Sequence, residues 1–221
     1  MNASKDQTNT LIRTYRDLGN ALTKTVSVEI DGDMLDELKK NEYKICFAKK
    51  VGNFDYNVVW QSYDQYMERN EFSWLPQYSV FGSNQFKDTV KVSVSCKPVT
   101  IGLGEMTTLS KSGRLSKAVT GGKETALTIH NEFGSIHPGV DQLSVGLDGE
   151  QVSTPIYVAQ KASVSGDIEL TPVEKVLVWF EQDIETATMF STSRSKSKEV
   201  DLTDDNEVHL RYDKGGIWKI V

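Results

Sequence analysis

Only two cysteines and three histidines occur in 221 residues, too few for most of the metal and nucleophile templates that enzymes reuse. Cys46 and Cys96 each sit inside an apolar strand-like run, KICFA and VSVSC, where a free buried thiol is expected rather than a disulfide. His130 and Glu132 form an H-x-E, but no P-C-x-x-C follows and both cysteines lie far upstream. A deaminase-type zinc would therefore lack its thiolates. His130 and His137 stand on either side of a turn signal at Gly134-Ser135, not at the i, i+4 spacing by which a helix presents two imidazoles to one metal. No metal site and no cofactor is expected.

Long apolar runs are also missing. None approaches the roughly 20 residues that span a bilayer, and the N-terminal MNASKDQTNT has no apolar core of the kind a secretory signal carries. The expected location is the cytoplasm, with release by a route that needs no signal peptide as the alternative. An excess of basic charge is absent as well: the net charge is -6. Nucleic acid, whose phosphates demand a clustered basic surface, is excluded as an expected partner.

Phosphate-cradling loops fail on their spacing. Gly102-Leu-Gly104 lacks the third glycine of a dinucleotide loop, and Gly121-Gly-Lys123 is followed by Glu124 where a Walker loop needs Ser or Thr. No G-x-S-x-G elbow is present. Asp31-Gly-Asp33 begins like a calcium loop, but Leu35 takes the next ligand position.

The chain is instead rich in short strand signals. TVSVEI (25–30), YKICFA (43–48), YNVVW (56–60), QYSVFG (77–82), TVKVSVS (89–95), ALTIHNEF (126–133), TPIYVAQ (154–160), DIELTP (167–172), EKVLVWF (174–180) and EVHLRY (207–212) are β-branched or aromatic and often alternate. Turn signals such as Gly121-Gly122, Asp148-Gly149 and Gly215-Gly216 punctuate them as hairpins would. They predict an all-β fold, an antiparallel β-sandwich or barrel of about ten strands. Leu11, Tyr15, Leu18 and Leu22 recur at helical spacing, which predicts an N-terminal amphipathic helix packed on the body. The expected organisation is a helical arm over 1–24 and a single β-sandwich domain over 25–221. A second short helix is expected over Asp33 to Lys40, with Asp33 as its cap.

Two features carry the functional expectation. Between Tyr56 and Phe81, eight aromatic residues fall within 26 positions, interleaved with Asn, Gln, Asp, Glu and Arg. Aromatic faces flanked by amides and carboxylates suit sugar rings, lipid headgroups and planar metabolites. Trp60, Tyr63, Trp74 and Tyr78 are the candidate ligand-binding residues, with Trp179 as core or pocket wall. In VLVWFEQDIETATMF (176–190), Glu181, Asp183 and Glu185 alternate on the face of Trp179 if the chain stays extended. A turn at Gln182-Asp183 would break that shared face.

The acidic, β-rich chain with a dense aromatic stretch is similar in general character to soluble β-sandwich lectins and cytolysins. That likeness implies a recognition protein, lectin-like or binding a membrane surface, whose partner is a glycan, a lipid headgroup or a small apolar molecule. Surface binders usually work in several copies, so homo-oligomerisation belongs to this expectation. The alternative is a small-molecule enzyme of the cyclase, isomerase or hydratase type, with Glu181, Asp183 or His137 as acid or base in a β-sandwich or barrel pocket.

Overall fold

The computed structural model describes residues 22–194 and 196–221. Strand dominates it: fifteen strands in three sheets, and one described helix of more than a turn. β1 is Lys24–Ile30, β2 Lys44–Val51, β3 Gln61–Tyr63, β4 Arg69–Ser83, β5 Val99–Ile101, β6 Glu105–Leu109, β7 Val119–Thr120 and β8 Leu127–Asn131. β9 is His137–Val145, β10 Gln151–Val158, β11 Gly166–Leu170, β12 Pro172–Glu181, β13 Lys198–Asp201, β14 Glu207–Asp213 and β15 Ile217–Ile220. The largest sheet runs β10-β9-β4-β1-β14-β15, with β5 on β4; the others run β11-β8-β6-β7 and β13-β12-β2-β3.

The pleat explains how the sheets meet. In β1, Val26, Val28 and Ile30 are buried while the residues between them are half-exposed, the alternation of a sheet covered on one face. The second central pair, β2 and β12, is apolar on both faces. Ile45, Phe47, Val176 and Val178 join the main core, whereas Cys46, Ala48, Leu177 and Trp179 face a smaller cluster completed by Val59, Ile184 and Phe190. Phe47 of β2 stacks on Phe72 of β4 with ring centroids 4.3 Å apart, so the two sheets share one apolar interior. Both cysteines are free thiols.

Several expectations are corrected. The antiparallel prediction fails at two pairs: β1 with β14 and β6 with β8 are parallel. Segments 56–60 and 89–95 are not strands. Both run extended beside residues 186–190, through Val59 N–H to Thr188 O (2.8 Å) and Thr89 N–H to Met189 O (2.9 Å). Positive φ at Thr89 and Ala187 breaks the pleat there, so no regular ladder forms. His137, just past the turn signal at Gly134-Ser135, opens β9, a strand that no sequence signal marked. The short helix α1 (Gly32–Lys40) is capped by Asp31, not Asp33: the Asp31 side chain accepts from the Asp33 N–H at 3.1 Å. The N-terminal arm lies outside the described residues up to its last stripe residue, Leu22, which is exposed.

Candidate functional site

The expected ligand-binding aromatics are mostly interior. Trp60, Trp74 and Trp179 are at most 1% exposed, and Tyr78 is 5% exposed. Trp60 and Trp74 meet edge to face at 5.6 Å. Lys49 Nζ lies 4.5 Å from the centroid of the Trp74 ring, and Trp74 Nε1–H donates to Glu174 Oε2 at 2.8 Å. Tyr63 is half-buried, its ring edge-on to Phe47 at 6.5 Å. Trp179 belongs to the smaller cluster on the other face of β2–β12, so the carboxylate stretch and the Trp60–Trp74 pair do not share a cavity.

Two of the three carboxylates, Glu181 and Glu185, are held by cations. β12 ends at Glu181, and Asp183 has a φ of 53°, so the chain turns and the three side chains do not stay in one row. Trp179 Nε1–H donates to Glu181 Oε2 at 2.7 Å. Arg194 Nε stands 2.8 Å from the same oxygen as an ion pair, off the axis of a hydrogen bond. Lys91 Nζ pairs with Glu185 at 2.5 Å, and its hydrogen bond and charge lower the Glu185 carboxyl. Glu181, Asp183 and Glu185 line a small open pocket of about 310 Å³ with Lys91 and Arg194. His137 is elsewhere, its Nδ1 2.7 Å from the carbonyl of Ala159. Among the described residues no group of three or more His, Cys, Asp and Glu could hold a metal ion.

Three larger hollows remain, one of which, about 570 Å³, is a mostly charged depression where Asp183 and Glu185 meet Lys39, Lys44 and Asp64. The first, about 820 Å³, is a shallow groove over the outer face of the largest sheet, where Ser27, Glu29, Arg69, Glu71, Ser73 and His209 project. These are the outward positions of β1, β4 and β14, and their polarity is what any solvated sheet face shows.

The third hollow, about 490 Å³, is built differently. It lies between α1, the end of β12 and the β14–β15 hairpin, and is lined by Met34, Glu37, Leu38, Tyr43, Phe180, Lys196, Tyr212, Gly215 and Gly216. Phe180 lies flat on Trp218 (centroids 5.6 Å apart, interplanar angle 8°) and tilts against Tyr212 at 4.8 Å. Trp218 Nε1–H donates to the Lys196 carbonyl at 2.9 Å, which fixes the Lys196 backbone at the rim. The hairpin turns through the three residues Lys214, Gly215 and Gly216, and both glycines take a positive φ that a side chain would strain. It is tied to the helix by the Asp31 N–H to Tyr212 carbonyl bond at 3.0 Å and by a Lys214–Asp33 ion pair.

Tyr212 is the unusual member. Only 5% of it is exposed, yet among the described residues its hydroxyl makes no hydrogen bond. It points at Gly216, where an added Cβ would come within 2.9 Å of Oη. Burial raises its pKa, and the neighbouring Glu37 and Tyr43 raise it further, so the phenol keeps its proton and remains a donor. A concave pocket of a few hundred Å³ in which aromatic ring surface meets a few convergent polar groups is a form that small-molecule sites take.

No protein-family model, no curated protein and no solved structure matches this chain.

Three elements of this pocket have local signals in the sequence: the short helix over 33–40, the strand signal that ends in Phe180, and the Gly215-Gly216 turn. No such signal places Tyr43, Phe180, Lys196 and Tyr212 together. Their separation along the chain leaves no local signal, and only the β1–β14 pairing brings the hairpin beside the helix.

Proposed function

We propose that this chain is a non-enzymatic recognition protein that binds a small molecule in the pocket between α1, β12 and the β14–β15 hairpin. The observation that carries this reading is the convergence on that pocket of the Tyr212 hydroxyl, which makes no hydrogen bond among the described residues, with the charges of Lys196 and Glu37 and the Phe180 ring. Phe180 and Tyr43 offer apolar ring surface, while Lys196 and Glu37 offer charge at the rim. The binding role first assigned to Trp60, Tyr63, Trp74 and Tyr78 thus passes to other aromatics. A two-layer β-sandwich belongs to the same reading, supported by the Phe47–Phe72 stack between two sheets.

The test is a ligand screen read by methyl NMR of methionine-labelled protein, in which Met34 reports from the pocket wall. Compounds that bind there shift the Met34 methyl and lose affinity in Met34→Trp, which fills the mouth from the helix surface. If no compound shifts Met34, or if Met34→Trp leaves all binding intact, the pocket is not the site.

A further inference from the structure

We infer that the end of the β11-β8-β6-β7 sheet bearing Phe133 and Val164 is a docking surface for an anionic lipid bilayer. Strand direction assembles it. β6 and β8 are parallel and β11 runs against β8, with Leu109 and Gly166 both opposite Asn131. The loops 110–114, 132–135 and 160–165 therefore leave the sheet side by side, one strand spacing of about 5 Å apart. This sheet forms no wall of the pocket at α1, so the inference is independent of the pocket reading.

A buried amide holds two of the loops. Asn131 is 2% exposed; its Oδ1 accepts the Phe133 N–H at 3.0 Å, and its Nδ2 donates to the carbonyls of Gly134 (2.8 Å) and Ser163 (3.3 Å). Ser163 also exchanges backbone bonds with Ile136 at 3.0 and 2.8 Å. The backbone is thus fixed at Phe133 and directly before Val164. Yet these side chains are 43% and 68% exposed. Apolar surface rimmed by polar and charged groups is what protein and membrane interaction sites present.

Charge selects the partner. Gly113, with a φ of 75°, lets the 110–114 turn close on the Phe133 ring, where an added Cβ would lie 3.2 Å from Cε2. The turn that carries Lys111 and Arg114 therefore borders Phe133, and Lys161 stands three residues before Val164. All three cations are exposed, and among the described residues none forms an ion pair; the pairs of this sheet join Lys123 to Glu169 and His130 to Asp167. Glu132 is the one acidic residue of the three loops, and its carboxylate stands 3.9 Å from His130 Nε2. In a chain of net charge -6 this end is locally basic. A bilayer with anionic headgroups answers both features: each basic residue near it strengthens binding about fivefold, and the apolar tips gain by leaving water. A soluble polyanion would use the cations but leave Phe133 and Val164 in water.

The experiment floats the purified protein with vesicles of phosphatidylcholine alone and of phosphatidylcholine mixed equally with phosphatidylserine. The protein is expected to float with the mixed vesicles, not with phosphatidylcholine alone, and to be released as salt rises and screens the charges. Phe133→Ser combined with Val164→Ser should weaken partition about tenfold or more, and Lys111→Gln, Arg114→Gln and Lys161→Gln about fivefold each. Met67→Ser and Ile217→Ser, at side chains 69% and 55% exposed elsewhere on the surface, should leave partition unchanged. Every substitution is at an exposed side chain, and thermal unfolding confirms that each variant is folded. Absence of binding to the mixed vesicles overturns the proposal. So does binding that the charge variants weaken and the double serine variant does not, which would mark this end as a site for a soluble polyanion. Equal losses in the Met67 and Ile217 variants would show that contact is not made at this end.

Discussion

Lys49 and Glu174 meet at 2.6 Å between β2 and β12, with the lysine side chain fully buried and the carboxylate 22% exposed. Glu174 also takes the Trp74 indole N–H, so one carboxylate serves two interior donors. Burial brings the Lys49 ammonium down to about 8, against the opposing charge and hydrogen bond of Glu174. The unfolded chain therefore holds this proton more tightly than the folded one, and stability gained from this group rises as pH climbs from about 8 towards 10.5.

The two partners of that pair should respond unequally. Glu174→Gln strands a buried ammonium and is expected to cost about 3–5 kcal/mol at pH 7. Lys49→Met leaves Glu174 with its indole donor and an outlet to water, and should cost clearly less than the Glu174 change. Urea unfolding of both variants at pH 7 and pH 10 checks this. Equal destabilisation by the two would show that the pair itself, rather than the buried charge, governs stability.

Asp141 of β9 carries the opposite linkage. Burial raises its carboxyl to about 6, only partly offset by the hydrogen bond from Ser79 Oγ at 3.2 Å. A carboxyl that holds its proton better when folded stabilises the protein at low pH. That contribution is lost as pH rises from about 4 through 6. Asp141→Asn should therefore raise the melting temperature at pH 7.5, and its advantage should vanish below pH 4. Melting curves across that range decide it, and a pH-independent difference would sink the assignment.

His130 and Asp167 join β8 to β11, with Nδ1 and Oδ1 2.5 Å apart. The hydrogen bond to Asp167, then the charges of Asp167 and Glu132, hold the imidazole above its ordinary value. The tie is present when His130 is protonated and is lost as pH rises through that raised value. Imidazole proton NMR should place the His130 midpoint above about 6.5, and Asp167→Asn should move it down. An unchanged midpoint would mean that the contact is not formed in solution.

Gly139 marks a close approach of two strands. An added Cβ would lie 2.2 Å from the Phe81 ring, which is itself 1% exposed. Gly139→Ala is expected to destabilise by about 1–3 kcal/mol or more, the usual cost of overpacking a filled core. The second change Phe81→Leu should recover part of that loss. Denaturant midpoints of the single and double variants give the coupling, and simple additivity would contradict the contact.

The β-rich character was legible from alternation in segments such as TVSVEI, where every second residue is buried. Alternation failed where the backbone itself departs from the pleat. TVKVSVS alternates as well as TVSVEI does, but the positive φ of Thr89 and the neighbouring 186–190 segment turn it into an irregular extended run. β9 was missed for the converse reason: His137-Pro-Gly139 reads as a turn, and only the Phe81 ring pressed on Gly139 explains why glycine sits inside a strand.

The aromatic stretch shows the same limit at the level of the site. Composition identified the residues with the largest rings but not which way they face, because Trp and Tyr serve equally as core and as binding surface. By itself the sequence determined the strand-rich class, the helix at 32–40, the turn at Gly215-Gly216 and the scarcity of metal-binding residues, since each is a local or compositional property. Tertiary structure alone decided that Trp60 and Trp74 are interior, that Glu181 pairs with Arg194, and that Tyr212 faces a pocket beside Lys196. Those outcomes depend on which strands become neighbours, and the pairing of β1 with β14 and of β2 with β12 joins residues far apart along the chain.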